Sequence, residues 1–512
     1  QTYSISGCPP LPPYGEAEHR FDWIVPEHYP VPADVEFTAS VSVSPGESWA
    51  GNNEATVSAE ILDLYPNDEG WPVKIMGSVK SPPLMSDLDG DGDLEIVAVA
   101  GNSILAAWNH DSADPIWRIT GYEFNPFQNE TGQEENEGFT VPAAADMDGD
   151  GDVEIVVDTR YELLVLDGTD GNVLHSFPHD ELNYCWKHFP HSPAIGDVVP
   201  EAGTARQEIV LPVNNTLYIL GMDDDGISIL DSFGIKPSGP LRSILFSWVS
   251  VSDIDPHLHG SEVIVSGSGA YELGGVNDWT SLCLYSATSP GSFYSRKDWI
   301  GEDLNFNGIT ATGELTGSGT RVAISQRLGN PDHNPAFVVD PYNLSTPVGC
   351  VHNPSLASQK VLCCMMADWD PIVADLDVII APAENQCFTW DDTGLRNWFS
   401  EYADPDDDRP PFGALGDVDN ANMDDLIVGT RNGIVRGYDF EGVEIDLDFP
   451  FTLPSEVYGG FVMADLDNDG YVEVVFGTMD NYLHVWELGE CSPGYSPWPQ
   501  CQHDAMRTGV LE

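Results

Sequence analysis

A short acidic segment recurs along this chain at a nearly constant interval, and no other feature restricts the fold as tightly. SDLDGDGDLEIVAVA from Ser86, ADMDGDGDVEIVVDT from Ala145 and ADLDNDGYVEVVFGT from Ala464 match almost letter for letter, and GDVDNANMDDLIVGT from Gly416 is an altered copy. Weaker copies fall between them: GDVVPEAGTARQEIVLPV from Gly196, SDIDPHLHGSEVIVSG from Ser252, GELTGSGTRVAISQ from Gly313 and ADWDPIVADLDVIIAPA from Ala367. Their first acidic residues, Asp87, Asp146, Asp197, Asp253, Glu314, Asp368, Asp417 and Asp465, lie 48 to 61 residues apart. Self-similarity at such a period marks a repeat architecture. Each unit continues with a β-rich run such as RYELLVLDG, NNTLYILG or NYLHVWEL, then a turn and a further strand such as NVLHSF or LRNWF. Short strands separated by Gly, Asp and Asn turns build small sheets arranged around an axis. No 3.6-residue periodicity persists through a unit, which argues against a helical solenoid. The expectation is an all-β, eight-bladed β-propeller of four-stranded blades.

The spacing D-x-D-x-D-G-x-x-E carries its own chemistry. Side chains at positions 1, 3 and 5 of a tight loop converge, glycine at 6 permits the turn, and a carbonyl at 7 and carboxylate at 9 complete an oxygen cage. Hard oxygen donors at this density suit Ca2+ rather than zinc or copper. Three complete sets result: Asp87, Asp89, Asp91, Asp93 and Glu95; Asp146, Asp148, Asp150, Asp152 and Glu154; Asp465, Asp467, Asp469, Tyr471 and Glu473. Residues 93, 152 and 471 act through backbone oxygen. A fourth site keeps Asp417, Asp419 and Asp425, with Ala421 in place of the middle ligand. The loops at Asp253 and Asp368 have lost ligands, and the units at Asp197 and Glu314 lack the cage. The expected ions are structural, because each loop joins two strands of one blade.

FGALGDVDNANMDDLIVGT resembles the FG-GAP repeat of integrin alpha-subunit propellers and of secreted bacterial proteins, and the copies at Asp87, Asp146 and Asp465 resemble its VCBS variant. The resemblance covers roughly residues 70–512 and implies a propeller, while leaving function open. Eight-bladed, calcium-loaded propellers similar to this one include rhamnogalacturonan lyases, which makes polysaccharide cleavage an alternative function. Trp279, Tyr294, Arg296, Lys297 and Trp299 would then line a sugar groove, or else simply pack between blades. Quinoprotein alcohol dehydrogenases, with eight blades, calcium and adjacent cysteines, are resembled faintly by Cys363-Cys364 and LDGTDGNVLHSF. A disulfide from that cysteine pair to Cys350 or Cys387 is the better reading. No G-x-S-x-G, H-E-x-x-H, phosphate loop or haem motif occurs.

Three regions follow. Residues 1–45 hold eight prolines and no repeat, as an extended arm. Residues 46–69 connect by β-strand to the propeller at 70–512. GWPVKI at Gly70–Ile75 and SPWPQCQHDAMRTG near the other end both read as outer blade strands, so both termini are expected to close one blade. The arm either lies on its own propeller or reaches another subunit, where DVEFTASVSVS could add a strand.

Net charge is -65, with 84 acidic and 19 basic residues, which excludes nucleic acid and anionic membrane surfaces as partners. No apolar run is long enough for membrane insertion. A start at Gln1 without a leader and nine cysteines fit a processed, secreted protein at the cell surface or beyond it. Cys491 and Cys501 bracket a Pro- and Gly-containing loop and are the first pair expected to bond. The leading reading is an extracellular structural or adhesive protein, possible partners being further copies of itself or an extracellular protein or glycan.

Overall fold

The computed structural model describes residues 33–40, 54–61, 66–68, 70–101, 104–122, 140–159, 161–179, 192–199, 207–213, 216–223, 226–235, 241–254, 260–271, 277–286, 295–300, 310–315, 319–325, 336–341, 343–350, 364–367, 378–382, 387–391, 394–396, 413–421, 423–430, 432–439, 441–445 and 449–490. The chain divides into two compact units, residues 1–65 and 66–512. In the first, Ala33–Ser40 pairs antiparallel with Glu54–Ile61, from Ala33↔Ile61 to Ser40↔Glu54. The stretch expected to be available for donation is therefore paired along one edge within its own chain. The rest of the Pro-rich arm, including Cys8, lies outside the described residues. Among the described residues no helix is long and apolar enough to cross a membrane.

The second unit is a β-propeller of four-stranded sheets. Among the described residues, seven sheets are formed by strands consecutive in sequence, within residues 84–120, 143–178, 194–234, 241–300, 310–350, 365–396 and 413–452. One more is composite. It takes Val457–Ala464, Tyr471–Thr478 and Tyr482–Glu490 from one end of the unit and Val73–Lys74, from the GWPVKI segment, as its outer strand. Val73 pairs with Leu483 and Lys74 with Tyr482. The second segment expected to take part in closure, SPWPQCQHDAMRTG, lies outside the described residues.

Burial explains the composition of the strands. The second strand of a sheet is covered on both faces by neighbouring sheets, so Glu95–Ala100, Glu154–Asp158 and Glu208–Val213 are buried along their whole length. They read as continuous runs of Ile and Val for that reason, not as alternating strands. Outer strands contact the core at single points, such as Trp117 in Trp117–Thr120 and Phe177 in Val173–Pro178. Each fully buried Val, Leu or Ile contributes roughly 1.5–3 kcal/mol, so the inner strands carry most of the stabilisation.

Adjacent sheets share hydrophobic clusters around the propeller. Leu84, Val97 and Leu105 of the first sheet pack with Ile155, Val157 and Leu164 of the second. Val156 and Val165 of the second pack with Ile209 and Leu220 of the third, whose Val210 and Ile219 pack with Val249 and Val263 of the fourth. At the seam, Trp71, Val73, Met85 and Ile96 form one cluster with Val462, Val475, Leu483 and Val485. Beside it His484 stacks on Phe476 at 4.8 Å, and burial pushes its pKa down to about 4.

Two glycines at the seam have neighbours that leave no room for a side chain. A Cβ on Gly477 would stand 2.1 Å from Val79 Cβ, and one on Gly459 would stand 2.4 Å from the Ser81 carbonyl oxygen. Neither glycine has the left-handed backbone that would by itself demand glycine, so close approach is the reason for both. Gly477→Ala should therefore push the composite sheet off the first and destabilise the propeller by about 1–3 kcal/mol, the usual cost of overpacking. Denaturant unfolding of the two proteins checks this, and an unchanged midpoint would show that the seam has slack.

Candidate metal centres

The first acidic residue of seven repeats directly follows the innermost strand of a sheet: Asp87, Asp146, Asp197, Asp253, Asp368, Asp417 and Asp465 come one residue after strands ending at 86, 145, 196, 252, 367, 416 and 464. Glu314 differs, since it lies inside Thr310–Leu315, paired with Thr320. The missing cage in that unit is thus a matter of register as well as of ligands.

The last acidic position of the motif sits on the second strand, opposite the final residue of the first. Ser86 pairs with Glu95, Ala145 with Glu154, Gly416 with Asp425 and Ala464 with Glu473. The paired positions stand equally far apart in all four hairpins, enclosing residues 87–94, 146–153, 417–424 and 465–472. The loops bounded by Gly196↔Glu208 and Ser252↔Glu262 are longer. A fixed loop length is what a D-x-D-x-D-G-x-x-E cage requires, because positions 1 and 9 must face each other across the mouth of the hairpin.

In each of the four loops three carboxylates converge: Asp87, Asp89 and Glu95; Asp146, Asp148 and Glu154; Asp417, Asp419 and Asp425; Asp465, Asp467 and Glu473. One oxygen from each lies within 4.8 Å of the other two. The centre of a triangle of that side is about 2.8 Å from its corners, so a small contraction reaches calcium–oxygen distances of about 2.3–2.6 Å. With an all-oxygen donor set, the residues fit a hard divalent cation. The position-5 aspartates stand outside these groups. Asp91, Asp150 and Asp469 instead accept the N–H of residues 93, 152 and 471 at 3.0, 2.9 and 2.9 Å.

Backbone amides hold the cage open. The two oxygens of Asp87 accept the N–H groups of Gly90 and Gly92, and Asp146 does the same with Gly149 and Gly151. Asp465 accepts those of Asp469 and Gly470. These wraps need left-handed backbone at positions 4 and 6, supplied by Gly90 and Gly92 at φ 76° and 104° and by Asn468 and Gly470 at 58° and 94°.

The carboxylate at position 9 has a second task. Glu95 accepts the N–H of Leu88 at 2.7 Å, Glu154 that of Met147 at 2.8 Å, Asp425 that of Val418 at 3.0 Å and Glu473 that of Leu466 at 2.7 Å. Glu208 and Glu262, in sheets whose loops depart from the full acidic motif, accept the N–H of Val198 and Ile254 in the same way. Reading the motif as a set of ligands missed these two residues. Their signal was a lone Glu opening an apolar strand in RQEIVLPV and SEVIVSG.

Burial, followed by repulsion from the loop aspartates, pushes Glu95 and Glu154 up to about 7 and Asp425 and Glu473 up to about 8, although the loop amide acts the other way. The same causes raise Asp419 and Asp465. A cation at the centre would relieve both the repulsion and the desolvation.

The remaining expected residues divide as follows. Trp279, Arg296, Lys297 and Trp299 belong by backbone pairing to the two outer strands of the fourth sheet, where Thr280 faces Trp299 and Leu282 faces Lys297. Their side chains and all of Tyr294 lie outside the described residues, as do Cys491, Cys501 and Cys363. Cys364 is buried beside the innermost strand of the sixth sheet.

Residues 87–157 match the FG-GAP-like repeat family, a stretch that spans the first two loops completely. Together with the four-stranded sheets, this gives a β-propeller that carries an FG-GAP-like repeat. No curated protein matches it at a significant level. Among solved structures it is similar to the quinohemoprotein alcohol dehydrogenase of Comamonas testosteroni, with 11% identity over 84% of this chain and 77% of that one and a TM-score of 0.53. Sqt1 of Saccharomyces cerevisiae shares 12% identity over 83% of this chain and 100% of its own, with a TM-score of 0.51. A rhamnogalacturonan lyase of Bacillus licheniformis shares 16% identity over 85% and 78%, with a TM-score of 0.48. At such identities the likeness is one of fold alone.

A raised carboxyl pKa stabilises the folded state fully below the unfolded value, about 4, and that contribution disappears as pH rises through about 7 to 8. The chelated protein should therefore lose melting temperature between about pH 5 and pH 8.5, and saturating calcium should flatten the profile. Scanning calorimetry with and without calcium tests this. A chelated protein with a flat profile would show that the clustered carboxylates carry no strain.

Proposed function

From an FG-GAP-type propeller with these loops, we propose an extracellular structural or adhesive protein whose eight sheets are the blades of one ring, stabilised by calcium at three loops and at the altered fourth. The observation that carries this reading is the convergence of positions 1, 3 and 9 at four equivalent places in the fold. Each candidate site lies at the mouth of a hairpin, with its buried carboxylate already holding a loop amide, so an ion there braces a blade. Weak sites of this type are filled at the calcium concentrations found outside cells, where modules bind at about 10⁻⁴–10⁻³ M. Binding to the folded chain alone stabilises it by mass action.

Self-association through the N-terminal unit is the assembly mode we favour. A two-stranded sheet is marginal by itself in water, and a strand from a second copy would complete it. Phe37→Pro removes a backbone donor from the Ala33–Ser40 strand and should impair such pairing.

Two measurements test the proposal on the full chain. Excess chelator should lower the melting temperature by several degrees, reversed by calcium and not by magnesium at equal concentration. Light scattering and electron microscopy should show assemblies in calcium that Phe37→Pro weakens. A melt indifferent to chelation removes the calcium role, and discrete monomers under every condition remove the assembly role and turn attention to glycan or protein ligands of the propeller.

A further inference from the structure

Where the composite sheet meets the first sheet, two of the candidate calcium loops touch. The Asn468 side-chain amide donates to the Gly92 carbonyl oxygen at 2.8 Å and lies 3.4 Å from Asp93 Oδ1. In return, the Leu94 N–H donates to the Leu466 carbonyl oxygen at 2.8 Å. The loops are thus tied at two points, with donors running in opposite directions.

The backbone half of this tie recurs elsewhere. Gln207 N–H donates to the Met147 carbonyl at 3.4 Å and Ser261 N–H to that of Asp197 at 2.6 Å, linking the third sheet to the second and the fourth to the third. The side-chain half depends on the residue at position 4. That position needs a left-handed backbone, and the first two loops meet the need with Gly90 and Gly149 at φ 76° and 80°. Asn468 adopts 58°. Asparagine tolerates this region better than other residues with a Cβ, and unlike glycine it brings an amide.

We infer that Asn468 couples the two calcium loops at the seam, so that an ion in either one raises the affinity of the other. The inference rests on the proposed calcium binding. Gly92 and Asp93 are positions 6 and 7 of the first loop, the stretch that has to turn back toward a bound ion. An ion held by Asp87, Asp89 and Glu95 fixes that turn and presents the Gly92 carbonyl to Asn468. On the other side, Asn468 stands between Asp467 and Asp469, and Leu466 is gripped at its N–H by Glu473 and at its carbonyl by Leu94. An ion there fixes position 4 and aims the amide. Each ion thereby orders part of the other's loop, and such coupling is reciprocal.

The test uses the full chain with Asp146→Asn and Asp417→Asn, which leaves the two seam loops intact among the four described sites. Calcium affinity is measured by calorimetry and by competition with terbium luminescence, with folding followed by circular dichroism. Asp467→Asn then disables the last loop at an exposed ligand, and Glu473→Gln is the second choice should that variant unfold. With Asn468 present, disabling the last loop should weaken calcium at the first by about fivefold or more, the lower end of ordinary coupling. In the Asn468→Gly background, which restores the residue found in the first two loops, the same change should cost less than about twofold. Equal weakening with either residue at 468, or none with Asn468, overturns the coupling while calcium binding stands. Absence of calcium binding to the unaltered chain would remove the calcium reading and this inference together.

Discussion

The buried carboxylate at the start of a second strand is the contact on which this propeller depends. In six of the described sheets, Glu95, Glu154, Glu208, Glu262, Asp425 and Glu473 accept a loop N–H from the residue two places after the innermost strand. The amide would otherwise be buried without a partner at the tightest bend of each hairpin, a loss of about 1–3 kcal/mol per site. The same carboxylate fixes hairpin register, because it faces the last residue of the preceding strand. The proposed calcium sites build on a staple that the third and fourth sheets also have, where the loops depart from the full acidic motif.

That order of dependence explains why the loops tolerate so much negative charge. The position-9 group is committed to the fold and cannot leave when aspartates gather beside it, so the strain appears as raised carboxyl pKa values. A proton relieves the strain at low pH, and a cation at the centre would relieve it at higher pH. The altered loop at Asp417 belongs to the same scheme. Asp439, at the end of the third strand of that sheet, adds to the repulsion felt by Asp419 and Asp425.

Much of this was legible in the sequence because the repeat spans a whole structural step: end of the inner strand, loop, start of the second strand. Runs such as RYELLVLDG and NVLHSF fall on the third and fourth strands Glu162–Asp167 and Val173–Pro178. The ligand pattern includes the groups that converge, and it gives no sign that the aspartates at position 5 also accept a turn N–H. Glu314 misled for another reason: an acidic residue at the right interval fell within a strand, and spacing alone does not reveal register. Glu208 and Glu262 were passed over because a pattern defined by metal ligands gives no weight to a carboxylate whose partner is backbone. The tie made by Asn468 joins residues distant in sequence, and no local pattern could display it.

The composite sheet has a bearing on how the chain reaches this state. Val73 finds Leu483 only after almost all of the intervening propeller exists. During synthesis the GWPVKI segment leaves the ribosome first and then has no strand to pair with until the final hairpin emerges. Domains usually fold in the order in which they are made, and long-range pairing of this kind is slow. For that interval the nascent ring is a curved stack with open edges at both ends, each able to pair with a neighbouring chain. Closure therefore waits for the final hairpin, and it removes both edges in one step.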